Sequence, residues 1–120
     1  MSELAGLTNE FKVIATMEIK EGLSRITKIL DSCQNDTDVS VNSSEIEKHV
    51  HKIKGVAPMM GKENSGKVAK HLDSILKQII SGNKVDGILE ILGTSVEQMK
   101  IDMDNHHKRT EIQKRFQIFP

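Results

Sequence analysis

Aliphatic residues recur at steps of three and four along most of the chain, and the only prolines are Pro58 and Pro120. That spacing lines up one face of a helix. Sheets draw instead on aromatic and β-branched residues in alternation, and the chain has no Trp or Tyr. The expected class is all-α.

Four helices follow from the pattern. The first is predicted over 8–30, with Phe11, Ala15, Ile19, Gly22, Leu23, Ile26 and Leu30 on one stripe. Residues 31–43 are rich in Ser, Asn, Asp and Thr without apolar periodicity, and read as a loop. Ser44-Glu45-Ile46-Glu47 has the form of a capping box and is expected to start the second helix, whose stripe is Ile46, Val50, Ile53 and Ala57. Pro58 must end or bend it. The third helix is predicted over 62–81 on Val68, Leu72, Ile75, Leu76 and Ile79, with Gly66 weakening its first turns and Ser81-Gly82-Asn83 closing it. The fourth is predicted over 85–106 on Ile88, Leu92, Val96, Met99 and Met103. Residues 107–120 form either a short fifth helix through Ile112 and Phe116 or a loose tail. The expected architecture is an antiparallel, up-down four-helix bundle. It forms a single domain over 1–120, with its core at about 8–106.

Lys plus Arg equals Asp plus Glu at 17 each, so the basic footprint of a nucleic-acid binder is missing. No apolar run approaches the ~20 residues that span a bilayer, and the start lacks the layout of a signal peptide. The lone Cys33 has no internal partner for a disulfide. A cytoplasmic protein with neither nucleic-acid nor membrane partners is expected.

The run His51-Lys52-Ile53-Lys54-Gly55 carries the chemistry. Successive helical residues turn by about 100°, so His51 lies on the flank of the stripe, in line with Glu47, Lys54 and Pro58. Its imidazole should reach solvent from a rigid backbone. A neutral imidazole nitrogen is a good nucleophile near physiological pH. Lys54, one turn on, can offset an added negative charge. Gly55 costs the helix up to about 1 kcal/mol against alanine, and the missing side chain clears room for a docking partner. An exposed histidine alone is ordinary; its combination with lysine and glycine narrows the reading.

Residues His51 to Gly61, HKIKGVAPMMG, resemble the signature of histidine-containing phosphotransfer domains, His-x-x-Lys-Gly followed six residues later by glycine. The resemblance implies that His51 accepts a phosphoryl group on Nε2, that Lys54 assists and that Gly55 permits close approach of a receiver domain. Gly61 matches the glycine that ends the helix. Leu72-Asp73 stands where members carry Leu-Glu, and in the chemotaxis-kinase branch that acid fixes the imidazole tautomer. That branch often has a second histidine three residues before the acid; here Lys70 takes the position and is expected to face the site as a second cation. Met59, beside Pro58, is expected at the docking surface. The implied partners are a histidine kinase catalytic domain and a response-regulator receiver domain. The chain would be a carrier, not an enzyme, without cofactor or metal of its own, Mg²⁺ belonging to the partner.

Two alternatives use the same residues. One is a helical bundle that only binds other proteins. The other is a metal site drawn from His49, His51, His71, His106 and His107, against which His49 and His51 point about 200° apart on a helix. His49 reads most simply as a surface residue. Residues 61–67, GKENSGK, imitate a phosphate-binding loop, but Val68 stands where Ser or Thr should hold Mg²⁺ and no strand precedes it.

Overall fold

The computed structural model describes residues 9–104. It is all-helical over that range: α1 (Asn9–Asp31), α2 (Asp36–Val41), α3 (Ser43–Val56), a 3-10 turn (Pro58–Met60), α4 (Glu63–Ile80) and α5 (Ile88–Asp104). The expectations for 107–120 lie outside the described residues. Among the described residues no helix is long and apolar enough to cross a membrane.

The stripes read from the sequence form one core. Ile19, Leu23 and Ile26 of α1, Ile46, Val50 and Ile53 of α3, Leu72 and Leu76 of α4, and Leu92, Val96 and Met99 of α5 are buried in it. Each fully buried aliphatic side chain contributes about 1.5–3 kcal/mol. Helix α3 packs most extensively on α4, α1 on α3 and α5, and α4 on α5. On α4 the buried face is Ala69, Leu72, Asp73, Leu76 and Ile79, while Val68 and Ile75 lie at its half-buried edge. The core stripe thus passes through Asp73. Helix α5 starts at Ile88, three residues later than the pattern suggests, because Gly87 (φ 81°) turns the chain first.

The segment 31–43 is not a plain loop, because it contains α2. The polar residues that suggested a loop are its caps. Asn35 Oδ1 accepts from the Asp38 amide at 2.9 Å, and Asp38 Oδ2 accepts from the Gln34 amide at 2.8 Å. Val39, fully buried, is its apolar anchor. Asp36 reaches further, accepting from the amides of Gly87 (2.8 Å) and Leu89 (2.9 Å) at the start of α5. These amides have no partner within their own helix. The bonds from Leu89 and Gly87 hold the Asp36 carboxyl below the usual range.

The capping box at Ser44 does not form either. Helix α3 begins at Ser43, directly after α2, and Asn42 gives no side-chain cap. The Asn42 carboxamide instead donates to Asp38 O at 2.8 Å, and Ser43 Oγ donates to Ser40 O at 2.7 Å. With α2 filling the place of a free helix start, Glu47 is left to face elsewhere.

Pro58 ends α3 as expected, and Gly61, at φ 77°, closes the 3-10 turn in the left-handed region. Gly66 has a packing reason: a Cβ there would lie 2.7 Å from Pro58 Cγ. Among the described residues, a Cβ at Gly55 would meet nothing within 4 Å. Gly66→Ala should therefore destabilise the protein by about 1–3 kcal/mol through overpacking, and Pro58→Ala should relieve most of that loss. Gly55→Ala should stabilise it by about 0.5–1 kcal/mol. Urea unfolding of the three variants and of the 58/66 double variant checks the contrast.

Candidate functional site

Asp73 occupies a core position of α4 and is only 2% exposed. A buried carboxylate needs partners to offset the loss of water. Two ammoniums supply them, Lys54 Nζ from α3 at 2.7 Å and Lys77 Nζ from the next turn of α4 at 2.9 Å, both on Asp73 Oδ2. Asp73 Oδ1 is buried without a hydrogen-bond partner among the described residues.

His51 stands over this pair. Its Nδ1 lies 3.6 Å from Asp73 Oδ2 and 3.7 Å from Glu47 Oε2, ion-pair range but longer than a hydrogen bond. The side chain is 59% exposed, and Nε2, on the opposite edge of the ring, has no partner among the described residues. Glu47 is the more enclosed acid on α3, its side chain 18% exposed.

The two carboxyls are held apart in acidity. Burial pushes Asp73 up, but hydrogen bonds from Glu47, Lys54 and Lys77 outweigh it and hold Asp73 well below the usual carboxylate range. Glu47 is pushed up, first by its hydrogen bond with Asp73, then by burial and by the Asp73 charge. Its hydrogen bond with Asp73 also pushes Lys77 up, burial working against it. Two carboxyls that share a site behave this way, the acidity of one strengthened and that of the other weakened.

Of the site residues expected from sequence, His51, Lys54 and Asp73 converge. Gly55 leaves open surface on α3, one turn past His51, and Met59 is exposed on the 3-10 turn. Lys70 does not join them: it is exposed and makes no ion pair with Asp73. Helical side chains lean toward the N-terminus, so Lys77, four residues after Asp73, reaches back to the carboxylate, whereas Lys70 leans away. Glu47 and Lys77 are the residues the sequence reading left without a role. Their signals were the four-residue steps from Glu47 to His51 and from Asp73 to Lys77. His49 is not a plain surface residue but half-buried, with Nε2 3.5 Å from Glu45 Oε1 and its Cβ beside Gly22.

Glu47, His51 and Asp73 each bring one donor atom within 4.8 Å of the others, a span that a cation could bridge. Two ammoniums already sit on the Asp73 oxygen, so the charge that a metal would neutralise is met from within the chain. In the segment that imitates a phosphate-binding loop, Lys62 Nζ donates to Asp102 O at 2.9 Å and Ser65 Oγ to Asp102 Oδ2 at 2.6 Å. Those side chains join α4 to α5.

No family model matches the chain, and neither a curated protein nor a solved structure does.

The acidities fix opposite pH dependences. Asp73 is lowered, so its stabilisation is complete above about pH 3.9 and is lost as pH falls through its lower folded value. Glu47 is raised, so its stabilisation is complete below about pH 4.3 and is lost as pH rises through its higher folded value. Asp73→Asn should lower stability at pH 7 by about 1–3 kcal/mol and flatten the acid limb. Glu47→Gln should remove the decline just above pH 4.3 and leave the Asp73 limb. Urea unfolding between pH 2 and 8 measures both.

Proposed function

We propose that the chain is a histidine-containing phosphotransfer module, its four long helices forming an antiparallel up-down bundle that carries a phosphoryl group on His51. The observation behind this reading is the imidazole itself, more than half exposed on a helix packed into the core, with Nδ1 turned toward buried carboxyls. An Nδ1–H directed at a carboxylate leaves the Nε2 lone pair outward as the nucleophile.

On this reading a kinase domain brings ATP, and Nε2 attacks the γ-phosphorus. The N–P bond forms as the bond to the departing ADP oxygen breaks. The ring then carries positive charge on the Nδ1–H side, where Asp73 faces it. In the onward step the aspartate of a receiver domain attacks the same phosphorus in line, and the N–P bond breaks. Catalysis of such transfers is largely placement and charge stabilisation, so the receiver supplies Mg²⁺ and this chain supplies a fixed nucleophile. Lys54, one turn from His51, would help neutralise the phosphoryl oxygens by swinging out from Asp73, on whose carboxylate it rests. Gly55 keeps the approach clear, and Met59 gives the partner an adaptable apolar contact. The proposed setting is the cytoplasm.

A second reading, a bundle that only binds proteins, draws on Val13, Ile14 and Met17, all exposed on α1. One experiment separates them. Given a phosphorylated receiver or an active kinase, the parent should take up label that is acid-labile and alkali-stable, and His51→Gln should take up none. Equal labelling of the two would remove His51 from the reading. Gly55→Leu should keep its helicity and slow transfer by about fivefold or more, as a steric cost of some 1–3 kcal/mol would.

A further inference from the structure

We propose that Glu47 is a second positioning residue for His51, forming with Asp73 a carboxyl–carboxylate pair behind Nδ1 that fixes which ring nitrogen faces solvent with its lone pair free. The proposal deepens the phosphotransfer reading, on which its functional meaning rests, but its geometry stands without a phosphoryl donor.

Three observations carry it. Glu47 and Asp73 approach Nδ1 almost equally, at 3.7 and 3.6 Å, from α3 and α4 respectively. Asp73 Oδ2 is occupied by two ammoniums, while the buried Oδ1 lacks a donor among the described residues. A protonated Glu47 would share its proton with the Asp73 carboxylate it pairs with. Glu47 is itself enclosed, and the Asp73 charge beside it favours its neutral form. The charged groups around Glu47 are His51 on its own helix and Asp73 and Lys77 on α4, with Lys54 on the far side of the Asp73 carboxylate. Helices α1, α2 and α5 contribute no ion-pair partner to it among the described residues.

The consequence follows from counting charge. With Glu47 protonated, one negative carboxylate lies behind Nδ1. It orients an Nδ1–H and leaves Nε2 unprotonated and outward. With Glu47 ionised, two carboxylates compete for the same Nδ1–H. A lone carboxylate would orient the ring without this dependence, so the proton on Glu47 sets how the Nδ1–H is shared.

Nitrogen-15 NMR of the His51 ring in the full chain tests the assignment. In the parent, the ring should be mainly the Nδ1–H tautomer when neutral. Its shifts should show an additional inflection, shared with the Glu47 carboxyl carbon and lying above the usual carboxylate range. Glu47→Gln should erase that inflection with the fold intact, Glu47→Leu should also reduce the Nδ1–H fraction, and Glu47→Asp should restore part of it. Ring shifts in the Gln and Leu variants that follow the parent at every pH overturn the proposal. Should those variants not fold, the parent decides: separate courses for the Glu47 carboxyl and the His51 ring overturn it, and a common inflection supports it. Failure of the phosphotransfer reading looks different, as a parent that takes no label while its ring shifts still report the Glu47 inflection.

Discussion

The site depends on one carboxylate being out of water. Asp73 sits among the aliphatic residues of α4, where an ionised group without partners would cost several kcal/mol, and the two ammoniums on Oδ2 are what allow it there. Lys77 belongs to the same helix and adds only local support. Lys54 comes from α3, so its contact fixes how far α3 and α4 can slide past each other. His51 is one turn from Lys54, and its position over the carboxyl pair is set by the same register. The geometry of the exposed imidazole is therefore inherited from a buried charge.

Two glycines show how differently the same residue serves α3 and α4. Gly66 lets Pro58 rest against the backbone of α4, which ties the corner after α3 to the helix that follows. Gly55 answers to nothing among the described residues, where the space its side chain would fill is empty. On the proposed reading, that open surface is the approach a partner would take to His51.

Much of this is legible in the sequence alone. The aliphatic stripes of α1, α3 and α5 gave the buried residues almost one for one, because period and burial are the same fact seen twice. The combination at 51–55 located the exposed imidazole, and Asp73 lies 3.6 Å from its Nδ1. What failed depended on contacts between segments distant in sequence or on direction along a helix. Helix α2 has six residues and one apolar anchor, too few for a period, and its Asp36 caps a helix far along the chain. The Ser44 capping box was locally plausible, but the preceding helix had taken its place. Lys70 and Lys77 both lie within helical reach of Asp73, and only the tilt of the Cβ bonds separates them. Glu47 was noted in line with His51 but given no role, since its importance arises only once Asp73 is buried opposite.

The contact between Asp36 and the first turn of α5 closes a loop of 51 residues in the sequence. It makes the short second helix and the last helix partners in one cooperative unit, although neither shares the imidazole. Fraying at either end loosens the other: an open Asp36 leaves the α5 amides to water, and an unwound α5 start leaves α2 held by Val39, its caps and its bonds to the start of α3. The imidazole lies on other helices, so breathing of the α2 segment reaches it only through the common core.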